Sequence, residues 1–450
     1  MGSSKTIRIG AGSAHEGDDI YGAQILAERG DLDYIVFDCQ SEVALSKAFL
    51  RRENGIPGYD VLFEAKLRKI LPACVSRGTK IIANAGILDP KGAAVAISKV
   101  CSEMGYGHLK VAYVSGGEVT DQLRQLDPVI ADTNAPLSAF GNAFLGAVAY
   151  GGAREIVAAL AQDADIVITP RAGDSEQYLA AMMHEFGWSF DDWEKIGRGL
   201  GLGHLVECSA QVTGGCYADP GRKDVDGLER LGFPILEVEA DGSAVISKVE
   251  GTGGVINEQT CREQLVYEIG DPSRYIHADA IVDFTTTTIT QVGPDRVRIE
   301  GTGGKPKTDT AKIGLAVREG YIGVGRLLFG GVGALEKARL AAEICRKQLV
   351  ERHGFSEDRL RFDFIGFNAL FDWGTDPDAV REVELRVSGR AFTRAEAADV
   401  MTAVSLLPCN GPAGVFWPRP TDQGGIEEIM GYHSTLLPQD AVRYEVHVAN

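Results

Sequence analysis

The feature that most constrains this chain is a recurring pair: a short, mostly apolar run followed at once by a loop of glycine, acids and amides. Tyr34-Ile-Val-Phe37 leads into Asp38-Cys-Gln-Ser-Glu42, and Lys80-Ile-Ile-Ala83 into Asn84-Ala-Gly86. The run 109–114 leads into Ser115-Gly-Gly-Glu118, and 165–169 into Arg171-Ala-Gly-Asp174-Ser175. Runs with no polar alternation suit strands buried on both faces of a parallel sheet. Helical stretches lie around them at 20–29, 61–75, 92–104 and 176–184. Strand and helix alternating at this pitch predict an α/β fold, a largely parallel sheet with covering helices. Ligands bind such sheets at the carboxyl ends of the strands, so these loops are expected to converge on one site.

The pattern changes near residue 235. Residues 234–239, 244–249, 280–288 and 296–299 read as successive strands. Ala334 to Glu351 reads as a long amphipathic helix, Val380 to Gly389 as a strand, and Thr393 to Leu406 as a helix capped by Thr393. We therefore expect an N-terminal α/β domain over 1–235 and a second, α+β domain over 236–450. Its tail from Pro408, rich in glycine and proline, reads as irregular. Glu250-Gly-Thr-Gly-Gly254 recurs as Glu300-Gly-Thr-Gly-Gly304. The echo has two readings: a duplicated strand–loop–helix unit, or two loops facing one site.

Composition excludes several function classes. The chain carries 45 basic and 63 acidic residues, a net charge of −18. That argues against a nucleic-acid backbone or an anionic membrane as partner. Its eight cysteines are dispersed without a C-x-x-C pair, which argues against a disulfide framework or a cysteine-rich zinc site. No apolar run reaches membrane-spanning length, so a cytoplasmic protein is expected. Glycine is in excess, 55 of 450 residues, and implies many tight turns or backbone-lined loops.

Several segments can carry chemistry. Gly10 and Gly12 follow a strand but lack the third glycine of a dinucleotide fingerprint, and Glu16, Asp18 and Asp19 would repel a pyrophosphate. The loop is either an acidic site or a turn into a helix N-terminus. Glu16, Asp18, Asp19 and Asp38 also admit an oxygen-rich Mg²⁺ site. The densest segment is Glu207-Cys-Ser-Ala-Gln211-Val-Thr213-Gly214-Gly215. Glu207 can act as general base or acid, and Gln211 can orient a carbonyl. Thr213 and the amides of Gly214 and Gly215 can hold an oxyanion. Thr252, Gly253 and Gly254 offer a second set of amides, as does Phe329-Gly-Gly-Val-Gly333 after Arg326. Asp174 and Glu42 are further acid–base candidates. Arg171 can pair with a substrate anion, and Asn84 and Gly86 stand at a strand end where substrate would lie. Cys208 has no histidine close in sequence to activate it, apart from His204, so covalent catalysis is not expected.

Five stretches together resemble the acyclic terpene utilisation protein A family. They are 33–42, Asn84-Ala-Gly86, 164–175, 203–215, and Gly253-Gly254 with 263–268 and Asp271-Pro272. The resemblance implies work on carboxylic acids or acyl-CoA esters, with a CoA thioester as a candidate substrate, and a small partner subunit. The combined expectation is a lyase or hydratase moving a proton next to a carbonyl, self-associated as a homo-oligomer. The alternative is a non-catalytic large subunit that binds an acyl-CoA or a small partner protein.

Overall fold

The computed structural model describes residues 5–371, 374–418 and 424–449. They form two compact units, one of residues 1–316 with 432–450 and one of residues 317–431.

The first unit is built on a ten-stranded mixed sheet. Its centre is parallel. Thr6–Ser13, Tyr34–Phe37, Lys80–Ile87, Ile166–Pro170 and Val111–Gly116 lie side by side in that order. All four residues of Tyr34–Phe37 are buried, as a run apolar on both faces requires. The helices Ile20–Arg29, Leu62–Arg77 and Pro90–Glu103 share one core with the sheet. Glu176–Phe186 and Trp193–Val206 belong to the other core.

The sheet is less parallel than expected. Pro234–Glu239, Ala244–Lys248, Arg296–Glu300 and Thr288–Gly293 extend it antiparallel beyond Thr6–Ser13. Residue 235, where the composition changes, therefore lies inside a strand paired with the first strand of the chain. The change of pattern marks the passage from parallel centre to antiparallel flank. Residues 285–287 form a turn rather than a strand, with Thr285 folding its hydroxyl onto Asp283. The tail is also more regular than its composition suggests. Ile426–Pro438 and Tyr444–Val448 are strands, and the latter pairs antiparallel with Val111–Gly116. Residues 419–423 of that tail lie outside the described residues.

The echoed loops neither meet nor repeat a unit. Ala244–Lys248 and Arg296–Glu300 are antiparallel neighbours, so the loops after them leave at opposite edges of the sheet. The first leads to the helix Glu258–Val266, the second to the strands Gly303–Lys305 and Thr310–Gly330.

In the second unit, residues 321–330 pair antiparallel with Glu382–Ala391, which pairs with Leu360–Ile365. Ala334–Lys347 and Arg394–Ser405 pack on this sheet through Leu335, Ala338, Val400 and Val404 against Val383, Leu385 and Val387. Thr393 caps Arg394–Ser405 through the Glu396 amide, as its place before the helix predicts. No helix among the described residues is long and apolar enough to cross a membrane.

One element governs the site. The helix Trp193–Val206 carries glycine at 197, 199, 201 and 203, each about 0.5–1 kcal/mol worse than alanine in a helix interior. The gain is close approach. A methyl group on Gly203 would sit 2.8 Å from the Cα, Cβ and carbonyl oxygen of Ser175. One on Gly201 would sit 2.7 Å from Thr302, and one on Gly197 would overlap the backbone of Gly304. Gly203→Ala should therefore destabilise the protein by about 1–3 kcal/mol through overpacking. Gly270→Ala, with nothing within 4 Å of the new methyl, should leave the urea midpoint unchanged. Equal midpoints for the two variants would contradict this packing.

Candidate active site

Four of the expected residues meet in one cavity of about 240 Å³ in the first unit: Glu42, Arg171, Asp174 and Glu207. Arg171 and Asp174 follow the strand Ile166–Pro170, and Glu42 begins the helix after Tyr34–Phe37. Glu207 closes the helix Trp193–Val206 as its C-cap. The glycine at 203 lets that helix settle on Ser175, whose hydroxyl donates to Glu207 Oε2 at 2.9 Å.

Arg171 is 2% exposed. Its Nη1 donates to Asp174 and to the Ala172 carbonyl, and its guanidinium lies 4.3 Å from the centre of the Tyr150 ring. Nε has no partner. Asp174 is pushed up to about 6: burial and the nearby Glu207 and Glu176 outweigh the attraction of Arg171. Asp38, behind this pair, is raised well above the usual range by its own burial and by Asp174. It is held by the Asn84 amide at 2.7 Å. Glu42 stays below the usual range despite its burial. Its own amide, Arg171, Lys312 and the Tyr150 hydroxyl at 3.1 Å favour its charged form.

The cavity also holds groups that sequence reasoning missed: Tyr150, Glu176, Glu268, Tyr275, His277 and Lys312. Glu176 is 1% exposed and accepts from the Ala278 amide at 3.0 Å. His277 Nδ1 lies 3.4 Å from Glu176 Oε1, and its Nε2 has no partner. Burial works against the imidazolium, but Glu176, Glu207 and Asp174 raise its pKa overall. In return His277 and the Ala278 amide lower that of Glu176 against the cost of burial. His204 is buried beside Glu207, with Nδ1 3.3 Å from Oε1 but out of line for a hydrogen bond. One signal was available for this group. Tyr275-Ile-His277-Ala-Asp279 alternates polar and apolar directly after the Asp271-Pro272 turn.

The other expected contacts fall elsewhere. Asn84 is fully buried between Asp38 and the Cys39 amide, and so positions Asp38. Gly86 exists for packing, because a methyl there would lie 2.6 Å from the Thr169 carbonyl. The amides proposed for an oxyanion are already bonded. Gly214 and Gly215 donate to the carbonyls of Gln211 and Ala210, and Gly253 and Gly254 to those of Arg230 and Asp226. Thr213 and Thr252 bond the Ala210 and Val249 carbonyls. Gln211, Thr213 and these glycines thus brace one loop against another, with Val255 N donating to Thr213 O at 2.9 Å. Cys208 is a free thiol whose protonated form is favoured. Burial and then Glu207 push its pKa up.

The first acidic loop serves structure. Gly10 and Gly12 belong to the strand Thr6–Ser13, Asp19 caps Ile20–Arg29, and Asp18 accepts from the Ala14 amide. Glu16 lies 3.6 Å from Arg51. Among the described residues no group of three or more His, Cys, Asp or Glu is arranged to hold a metal ion. A groove of about 670 Å³ in the second unit is rich in arginine. There Arg361 and Arg386 share Asp363, at 2.7 and 2.8 Å, and Arg326 pairs with Glu384 at 2.6 Å.

A second cavity of about 330 Å³ shares the walls Tyr150 and Ala311 and contains Asp279. Burial, then Glu176, pushes Asp279 up to about 6. The fold therefore binds a proton that the unfolded chain, near 4 at this group, releases sooner. Stability from this group is full below about pH 4 and is lost as pH rises through 6. Asp279→Asn should raise stability at pH 7.5, on the order of 1–3 kcal/mol, and the gain should vanish toward pH 4. Urea denaturation at the two pH values checks it, and a variant less stable at pH 7.5 would contradict it.

Compared with known proteins, residues 7–448 match the family described as acyclic terpene utilisation family protein AtuA. No curated protein and no solved structure matches the chain.

Proposed function

Since the chain belongs to the acyclic terpene utilisation AtuA family, we propose that it is an enzyme of carboxylic acid or acyl-CoA catabolism, a hydro-lyase acting next to a carbonyl. The observation that carries this reading is the pair Asp174 and Glu207 in one cavity. The two carboxylates raise the cost of double ionisation, and Asp174 keeps its proton to about pH 6. Paired titratable groups in unequal surroundings supply an acid and a base at one pH.

The step runs as follows. Glu207, as carboxylate, takes the proton from the carbon next to the carbonyl. The electron pair moves to the carbonyl oxygen as an enolate. Its return expels the β-hydroxyl, which takes the proton of Asp174 and leaves as water. The products are an unsaturated acyl compound and water, and one proton has passed from Asp174 to Glu207. Arg171 and Lys312 supply the positive charge that favours the enolate. With the glycine amides engaged elsewhere, these side chains take the role first given to the amides.

The test is deuterium exchange at the α-carbon of short 3-hydroxy acids and their CoA thioesters in D₂O, read by mass spectrometry. Wild type should exchange, and Glu207→Gln and Asp174→Asn should each lose about 10²–10⁴-fold. Full exchange by either variant would remove that residue from the mechanism. Ligand binding with no exchange at all would favour the non-catalytic large subunit.

A further inference from the structure

We infer that Arg171 and His277 together form a subsite for a free carboxylate, so that the ligand of this cavity is a small carboxylic acid anion rather than a thioester with no other charge. The inference rests on the reading of this cavity as the substrate site and narrows it to one substrate class.

Arg171 and His277 both line the cavity, and both side chains are at least nine-tenths buried. Arg171 Nε and His277 Nε2 have no partner. An unsatisfied buried polar group costs about 1–3 kcal/mol, and such groups in a folded protein call for an explanation. Among the described residues the cavity has three of them: Arg171 Nε and His277 Nε2, both on basic side chains, which one anionic ligand would satisfy together, and Glu176 Oε2, which it would not.

The details of each group agree. Both hydrogen bonds of Arg171 use Nη1, and the Tyr150 ring occupies a face of the guanidinium. Nε is buried and unpartnered, and a carboxylate reaching it together with Nη2 would make the in-plane, bidentate contact that a neutral thioester carbonyl cannot fully match. His277 has Nδ1 beside Glu176 and Nε2 without a partner, so Nε2 donates when the ring is protonated, the form that Glu176, Glu207 and Asp174 favour. Lys312 lies 4.6 Å from the centre of the same Tyr150 ring and adds positive potential at the Arg171 end.

Acidic groups oppose an anion here, which gives the binding a pH signature. Asp174, Glu207 and Glu176 face His277, and Asp174, Asp38 and Glu42 face Arg171, with Lys312 also beside Glu42. Protonation of Asp174, and the charge on His277, both favour a bound carboxylate. Affinity should therefore rise as pH falls from about 8 to about 6.

Calorimetric titration of the full chain with acetate, propionate and butyrate, against the matched amides, tests the subsite. Carboxylates should bind about tenfold more tightly near pH 6 than near pH 8, and the amides should bind at least tenfold more weakly. Arg171→Lys, which keeps the charge but loses the fork, should weaken butyrate at least tenfold, and His277→Gln should flatten the pH dependence. Equal affinity for butyrate and butyramide, or unchanged affinity in both folded variants, would overturn the inference. If neither variant folds, ¹⁵N-histidine NMR of wild type decides. Butyrate must move the His277 Nε2 resonance, and no movement at saturating butyrate overturns it. Carboxylate binding without α-proton exchange on any acid would leave the subsite standing and sink the lyase. Exchange on thioesters by a protein that binds no simple carboxylate would do the reverse.

Discussion

The distance of closest approach between the glycine-bearing helix Trp193–Val206 and the backbone at Ser175 sets the rest of the site. Ser175 follows Asp174 directly, and Glu207 is the cap of that helix. Bringing the two backbones together brings the two carboxylates together. Gly203 makes that approach, and the glycines at 201 and 197 allow the same closeness to Thr302 and Gly304, contacts that offset their intrinsic cost in a helix. Alanine at any of the three contact positions would keep the helix and separate its neighbours.

The electrostatics follow from that approach. Glu42, Asp174, Glu176, Glu207, Arg171, His277 and Lys312 share about 240 Å³, so no member titrates alone. The cations do not simply neutralise the acids. Arg171 is close enough to hold Asp174, yet burial and two more carboxylates still carry Asp174 to about 6. The pair Glu176 and His277 is shifted the opposite way, each favouring the charge of the other. One cavity thus contains a carboxylic acid raised to about 6, a carboxylate whose charge is favoured and a histidine whose cationic form is favoured. That unequal distribution is what proton transfer at a carbon acid needs.

Much of this was legible in the sequence. The apolar runs at 34–37, 80–83, 111–114 and 165–169 read as buried parallel strands because their side chains leave no polar face. The strand-end rule pointed to Glu42, Arg171 and Asp174, the dense segment 207–215 pointed to Glu207, and the four line one cavity. What misled was glycine. Pairs such as Gly214-Gly215 and Gly253-Gly254 have the same composition whether their amides await an anion or already bond a carbonyl, and only coordinates separate the two. Asn84 misled in a related way, since an amide at a strand end can touch substrate or hold Asp38. His277 and Lys312 were missed because they come from the excursion after residue 268 and from a later strand, and no local periodicity links them to Asp174. The antiparallel flank was seen as strands but assigned to another domain, because pairing partners more than 200 residues apart leave no trace in composition.

The central claim is that burial and the charge of Glu207 together hold the proton of Asp174 toward neutral pH. Carboxyl ¹³C NMR of aspartate-labelled protein, titrated in wild type and in Glu207→Gln, measures that coupling at the group itself. The Asp174 resonance should titrate near pH 6 in wild type and move toward the ordinary carboxylate range once the Glu207 charge is gone. A midpoint near 4 in both proteins would contradict the account.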